Sequence, residues 1–105
     1  MKKGTTPTIP IEHDLDMSTV TSVEFLFKQE KLETAPVIIK KTYPGDVTEA
    51  EGVFNIPFTE DETRMFKSGR DFYCDPKITL VNGKIPETEI LSIHCTPTLW
   101  GEDDD

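Results

Sequence analysis

The chain has two cysteines, two histidines and eleven basic residues against twenty acidic ones in 105 positions, and each scarcity removes a class of answers. Two cysteines are too few for a disulfide scaffold, and their number fits a cytoplasmic origin. Nucleophilic catalysis needs Ser or Cys beside a base that a third group orients. His13 and His94 are the only histidines, and no nucleophile elbow accompanies them. The shortage of bases gives a net charge of −9, which repels nucleic acid rather than binding it. The whole excess lies in Thr42 to Asp105, with fourteen acids against five bases; Met1 to Lys41 balances six against six. Solubility is its plainest role. No stretch approaches the ~20 apolar residues of a membrane span. The start, Met1 to Pro7, has two lysines but no apolar run, so no signal peptide is expected. Glycine-rich phosphate loops and Asn-x-Ser/Thr sequons are missing too.

What is present reads as strands. A single domain over residues 1–100 is expected, opened by an extended segment (1–12) and closed by an acidic, disordered tail (101–105). Ile9 and Ile11 alternate with polar residues, but Pro7 and Pro10 forbid a central strand, so this is an edge strand or an arm. Asp14, Asp16 and Ser18 have the spacing of the first calcium ligands of an EF-hand loop. The loop then fails at Thr19 and Phe25, and a turn is the better reading. Val23, Phe25 and Phe27 share one strand face, with Leu26 an apolar exception on the other. Val37-Ile-Ile39 is a short strand ending in Lys40 and Lys41. Tyr43-Pro-Gly-Asp46 fits a type II turn, and Glu49 to Gly52 continues the loop. Phe54, Ile56 and Phe58 form the inward face of the next strand.

Thr59-Glu-Asp-Glu62 is a capping box, which starts a short helix over about residues 60–67. Met65 and Phe66 bury its far end and Gly69 ends it. Two strands then close the domain, on either side of Asn82-Gly83. A tight two-residue turn would set Phe72 opposite Ile93 and Cys74 opposite Leu91, but it would turn Glu87 and Glu89 onto the apolar face. A longer connection, Val81 to Thr88, avoids that and sets Cys74 opposite Cys95 as a thiol pair; this register is preferred. The mostly antiparallel strands with one short helix predict an all-β, immunoglobulin-like sandwich.

Site chemistry is sparse. Cys74, Asp75, His94, Cys95 and His13 are metal-ligand types, but no C-x-x-C or His-x-His exists, and adjacent His94 and Cys95 face opposite ways. The paired acids Glu60 and Glu62 are explained by the helix cap. Neither metal, cofactor nor catalysis is expected. A small acidic β protein could instead imitate DNA, though here the acids are scattered; a sugar- or ligand-binding β-module is the third reading.

Several pieces together resemble a known family. These are Gly4-Thr-Thr-Pro-Thr8, Asp16-Met-Ser18 before a strand ending Phe27-Lys-Gln29, the helix of Phe58-Thr-Glu-Asp-Glu-Thr-Arg-Met-Phe66, and the closing hairpin around Asn82-Gly83. The family comprises small structural proteins encoded among the morphogenesis genes of tailed phages and prophages of Gram-positive bacteria. It is similar to the N-terminal domains of baseplate upper proteins. The likeness runs from about Gly4 to Thr96 and departs at Lys84-Ile-Pro-Glu-Thr88, where relatives carry Ala and Ser. It carries over no catalytic residue. It implies a virion component working through contacts with other phage structural proteins, without nucleic-acid or membrane partners. Phage tails are rings, so a homo-oligomer fits. Thr5, Thr6, Pro7, Thr8 and Ile9 are then the candidates for subunit contact, an arm added to a neighbour's sheet edge. On that view, losing Met1 to Thr8 leaves a folded monomer.

Overall fold

A computed structural model describes residues 1–99; Trp100 and the acidic tail lie outside the described residues. Seven strands form two antiparallel sheets: β1 (Thr8–Glu12), β2 (Val20–Lys28), β3 (Val37–Tyr43), β4 (Thr48–Ala50), β5 (Val53–Pro57), β6 (Asp71–Leu80) and β7 (Leu91–His94). The smaller sheet runs β1-β5-β4 and the larger β3-β2-β6-β7. This is the strand order of an immunoglobulin variable-type sandwich without its first strand. β1, β5 and β4 stand at the B, E and D positions, and β3, β2, β6 and β7 at C′, C, F and G. The expected sandwich is therefore the fold, with one strand more than the sequence pattern shows. The extra one is β4, which sits where a loop was expected. It joins β5 through a tight hairpin whose central residues, Glu51 and Gly52, both have positive φ (53° and 80°).

The period of two places the core. Val23, Phe25 and Phe27 of β2 and Phe72, Cys74 and Ile78 of β6 face Phe54, Ile56 and Phe58 from the other sheet, all buried. The rings meet edge-on: Phe27 lies 5.2 Å from Phe58 and Phe25 lies 5.3 Å from Phe54. The capping box forms in full. Thr59 Oγ1 accepts from the Glu62 N–H, and Glu62 accepts from the Thr59 N–H. The helix α1 (Glu60–Thr63) is a single turn rather than the expected span over about 60–67, since Met65 and Phe66 close i→i+3 turns. Phe66 is buried as expected. Met65 is not: it is 53% exposed, because one turn cannot put adjacent residues on the same side. The turn after β3 is wider than the expected type II turn, since the Asp46 and Val47 N–H groups both donate to Thr42 O (2.9 and 3.2 Å).

The closing hairpin corrects the preferred register. Phe72 faces Ile93 and Cys74 faces Leu91, the register of the tight turn. The turn itself spans three residues: Gly83 N donates to Leu80 O, and Leu80 N donates to Lys84 O. Its pairing is one residue out of step with β7. The chain absorbs the slip between Ile85 and Ile90, where the ladder is broken. The reason lies in parity. In the register of β7, Ile85, Glu87, Glu89, Leu91 and Ile93 all point inward. The two carboxylates cannot enter the core, so this part of the strand leaves the sheet and both glutamates are exposed. Replacing both by valine (E87V/E89V) is expected to let β7 extend back to the Asn82-Gly83 turn. New protection of the amides between Ile85 and Ile90 in hydrogen exchange, and a melting midpoint higher by several degrees, would check this.

Candidate functional site

The N-terminal segment is docked, not free. The Met1 amino group donates to His94 O (2.9 Å), the Thr96 N–H donates to Met1 O, and Lys2 bridges Thr96 in parallel. Gly4 N donates to Thr63 Oγ1 (2.9 Å), and the Thr63 hydroxyl reaches Thr5 O (3.1 Å). Phe58 N donates to Pro7 O (2.9 Å), and from Thr8 the chain is β1, paired with β5. Thr5, Thr6 and Thr8 remain exposed, while Pro7 and Ile9 are half-buried and Ile9 packs on the core. The picture of an arm that can be removed from an unchanged monomer is thus corrected. Removing Met1 to Thr8 would strip these bonds and the Thr8–Pro57 pair, while Ile9 to Glu12 would still cover β5.

The thiols are separated. Cys74 pairs with Leu91, whereas Cys95 pairs by backbone with Arg70, four residues before Cys74 and just ahead of β6. That spacing is about 13 Å along the strand, beyond disulfide reach. Both cysteines are free and buried. Burial pushes the Cys74 thiol up to about 12, with Asp75 adding to the shift, and burial also raises Cys95. β6 stands where antibody domains carry one half of their inter-sheet disulfide; β1, at the other half, offers Ile9 and Ile11.

The ligand-type residues are likewise dispersed, and no group of three metal-binding side chains occurs among the described residues. His94 is exposed beside Asp71 (3.0 Å) and turns away from Cys95. Asp16 caps a single 3₁₀ turn over Met17–Thr19, and its carboxyl is held low by hydrogen bonds from Ser18. His13 is the better-built histidine. Its Nδ1 accepts from the Leu15 N–H (3.0 Å), which leaves Nε2 to donate to Glu49 (2.9 Å), and its ring stacks on Phe54 at 4.3 Å.

Sequence reasoning missed Lys41. β3 runs through both lysines to Tyr43, and Lys41 shares inward parity with Ile39 and Tyr43. It is buried, its ammonium 2.8 Å from Glu62 Oε1 and 5.1 Å from the centre of the Phe58 ring. The same Glu62 oxygen accepts from Thr59 N. Parity was the signal available; a basic pair at a strand end reads first as a solvated stop.

The broken ladder leaves a groove of about 440 Å³ between the end of β1 and the segment before β7. Val23, Phe25, Phe54 and Ile78 form its floor, and Ile11, Leu15 and Leu91 its walls. Every charged residue on its rim is an acid: Glu12, Asp14, Glu87 and Glu89. A second depression of about 360 Å³ lies on the outer face of the larger sheet, where outward Leu26 meets Tyr73 and Ile90 amid mixed charges. It offers one aromatic ring, where a sugar platform would show several.

No family model matches the chain, and no curated protein does. Among solved structures, it is similar to the NK cell receptor Nkp44, described as a triggering partner in natural cytotoxicity. The TM-score is 0.47 at 11% identity, over 93% of this chain and 95% of that one. So distant a likeness adds nothing to the strand order already described.

Two outcomes follow from the buried polar groups. At about pH 8 the native protein is expected to leave both thiols unmodified by a chromogenic disulfide reagent, and the denatured protein to give two per chain. Partial burial raises the Glu62 carboxyl, but bonds from Lys41 and Thr59 outweigh this and hold it below its ordinary 4.5. A carboxyl lowered by folding adds stability above its unfolded value and loses it as pH falls through the folded one. Glu62→Ala should therefore cost about 2 kcal/mol near neutrality in urea unfolding, by stranding Lys41 and opening the cap. The double variant Lys41→Met/Glu62→Leu should recover most of it, and its stability should fall less steeply below pH 4.5 than that of the parent.

Proposed function

We propose that this chain is a small, non-enzymatic structural protein of a tailed phage or prophage of a Gram-positive host. It works through protein–protein contacts in tail or baseplate assembly. The observation that carries the contact role is the free edge of β3. Seven residues long, β3 ends the larger sheet with no strand beyond it among the described residues. A long open edge is a template for a further strand, and isolated proteins blunt such edges. Val37 stands 53% exposed there, and Ala35, Pro36, Ile38 and Met65 line a shallow depression alongside. The outer edge of β1 is open in the same sense, which supplies a second contact direction. Two open edges on opposite sheets suit a repeated, ring-like array.

The phage setting rests on the motif string from Gly4-Thr-Thr-Pro-Thr8 to the Asn82-Gly83 hairpin. The protein would be made in the bacterial cytoplasm and reside in the particle, with other phage structural proteins and copies of itself as partners. Mass spectrometry of purified particles should find it in fixed ratio to tail proteins, and disrupting its gene should leave particles without complete tails. Intact tails after disruption would overturn the reading. Capture of a nuclease or repair enzyme that DNA competes away would favour DNA mimicry instead.

A further inference from the structure

We propose that the groove between β1 and the segment before β7 receives an extended, basic segment of another polypeptide. Its apolar side chains, two residues apart, would take the inward positions that Glu87 and Glu89 vacate. The proposal rests on the reading of the chain as an assembly component and names the chemistry of one neighbour.

Three observations lead there. The sandwich is incomplete at this place. In the register of β7, positions 87 and 89 are inward, opposite Ile78 and Pro76 of β6, yet Glu87 and Glu89 are themselves exposed. The space here, about 440 Å³, is walled by the half-buried Ile11, Leu15 and Leu91 and floored by Phe25, Phe54 and Ile78, which are only 1%, 2% and 8% exposed. That is room for a pair of aliphatic side chains, one strand repeat apart. Secondly, the backbone on this side can accept a strand. The Cys95 N–H donates to Arg70 O, so alternation along β6 turns even-numbered residues toward the β7 side. Beyond Cys74 the ladder stops; Pro76 has no N–H and its O already accepts from the Thr88 hydroxyl (2.6 Å), so the groups left for an incoming strand are those of Ile78. An incoming strand would lie between this edge and the open edge of β1, a case of strand addition in which backbone bonds hold and alternate side chains select.

Thirdly, the rim chooses the partner. Glu12, Asp14, Glu87 and Glu89 stand on it with no lysine or arginine among them, and His13, which also lines the groove, is engaged by Glu49. Apolar residues flanked by Lys or Arg would bring opposite charge to each of them and be steered in from a distance. A second copy of this chain is a poor fit, since its net charge is −9 and its lysines and arginines are outnumbered.

The test uses the full chain and a short synthetic peptide with two valines at i and i+2, flanked by lysines. Saturable binding is expected, with amide shifts at Ile11, Ile78 and Leu91 in two-dimensional NMR. Exposed Glu87 and Glu89 can be reversed without touching the core. Glu87→Lys/Glu89→Lys should weaken binding roughly tenfold or more, as should exchanging the peptide's valines for serines. The valine pair at 87 and 89, by closing the sheet internally, should abolish it. Binding indifferent to all three changes, shifts confined to the Leu26–Tyr73 face, or no saturation would overturn the proposal. Such failure leaves the particle test standing. Binding as proposed by a protein missing from particles would instead remove the phage setting and keep the groove.

Discussion

The two sheets are held together by phenylalanine. Phe27, on the second strand of the chain, meets Phe58, Phe66 and Phe72, which come from the other sheet, the turn after α1, and the neighbouring strand. One ring thus touches each layer that must come together. Edge-to-face rings of this kind combine large apolar burial with a preferred geometry, so they set the sheet spacing as well as the energy. Phe54 does the same at the other end, against Phe25, Tyr43 and the His13 ring. The residues between these ends inherit a fixed inside and outside, and Lys41, Glu87 and Glu89 are polar residues that fall on the wrong side of that division.

Lys41 and the two glutamates show the two ways out. Lys41 faces inward and finds an acid and an aromatic ring within reach, so β3 keeps its ladder. Glu87 and Glu89 face inward in register and find no lysine or arginine among the groove's lining, and His13 there is already bonded to Glu49. The backbone yields instead, and the strand shortens to four residues. The choice follows from energetics: an unpaired carboxylate in an apolar site costs more than the ladder bonds it would preserve.

This also explains what could be read beforehand. The parity of Val23, Phe25 and Phe27 and of Phe54, Ile56 and Phe58 gave the sandwich, and Thr59 with Glu62 gave the cap, because both signals are local. The register of the last hairpin was weighed with the right objection, the burial of Glu87 and Glu89, and resolved the wrong way. Shifting the whole register was one escape; breaking the ladder at fixed register was the other, and Ile85, Leu91 and Ile93 share the parity that favours it. The separation of Cys74 from Cys95 followed directly. The docking of Met1 to Thr5 on Thr63 and the Cys95 end had no local signal, because its bonds join residues nearly sixty or more apart.

The single oxygen of Glu62 that serves both Thr59 and Lys41 has one more consequence. The one turn of α-helix among the described residues is tied to β3, since loosening it would leave the Lys41 ammonium without its carboxylate. The crossover between the sheets and the outermost strand of the larger sheet are therefore joined through one hydrogen-bonded ion pair, although they lie some twenty residues apart in the chain. A strand that in most sheets would breathe at its margin is here latched from below, and a neighbour arriving at that margin meets a surface already in its final shape.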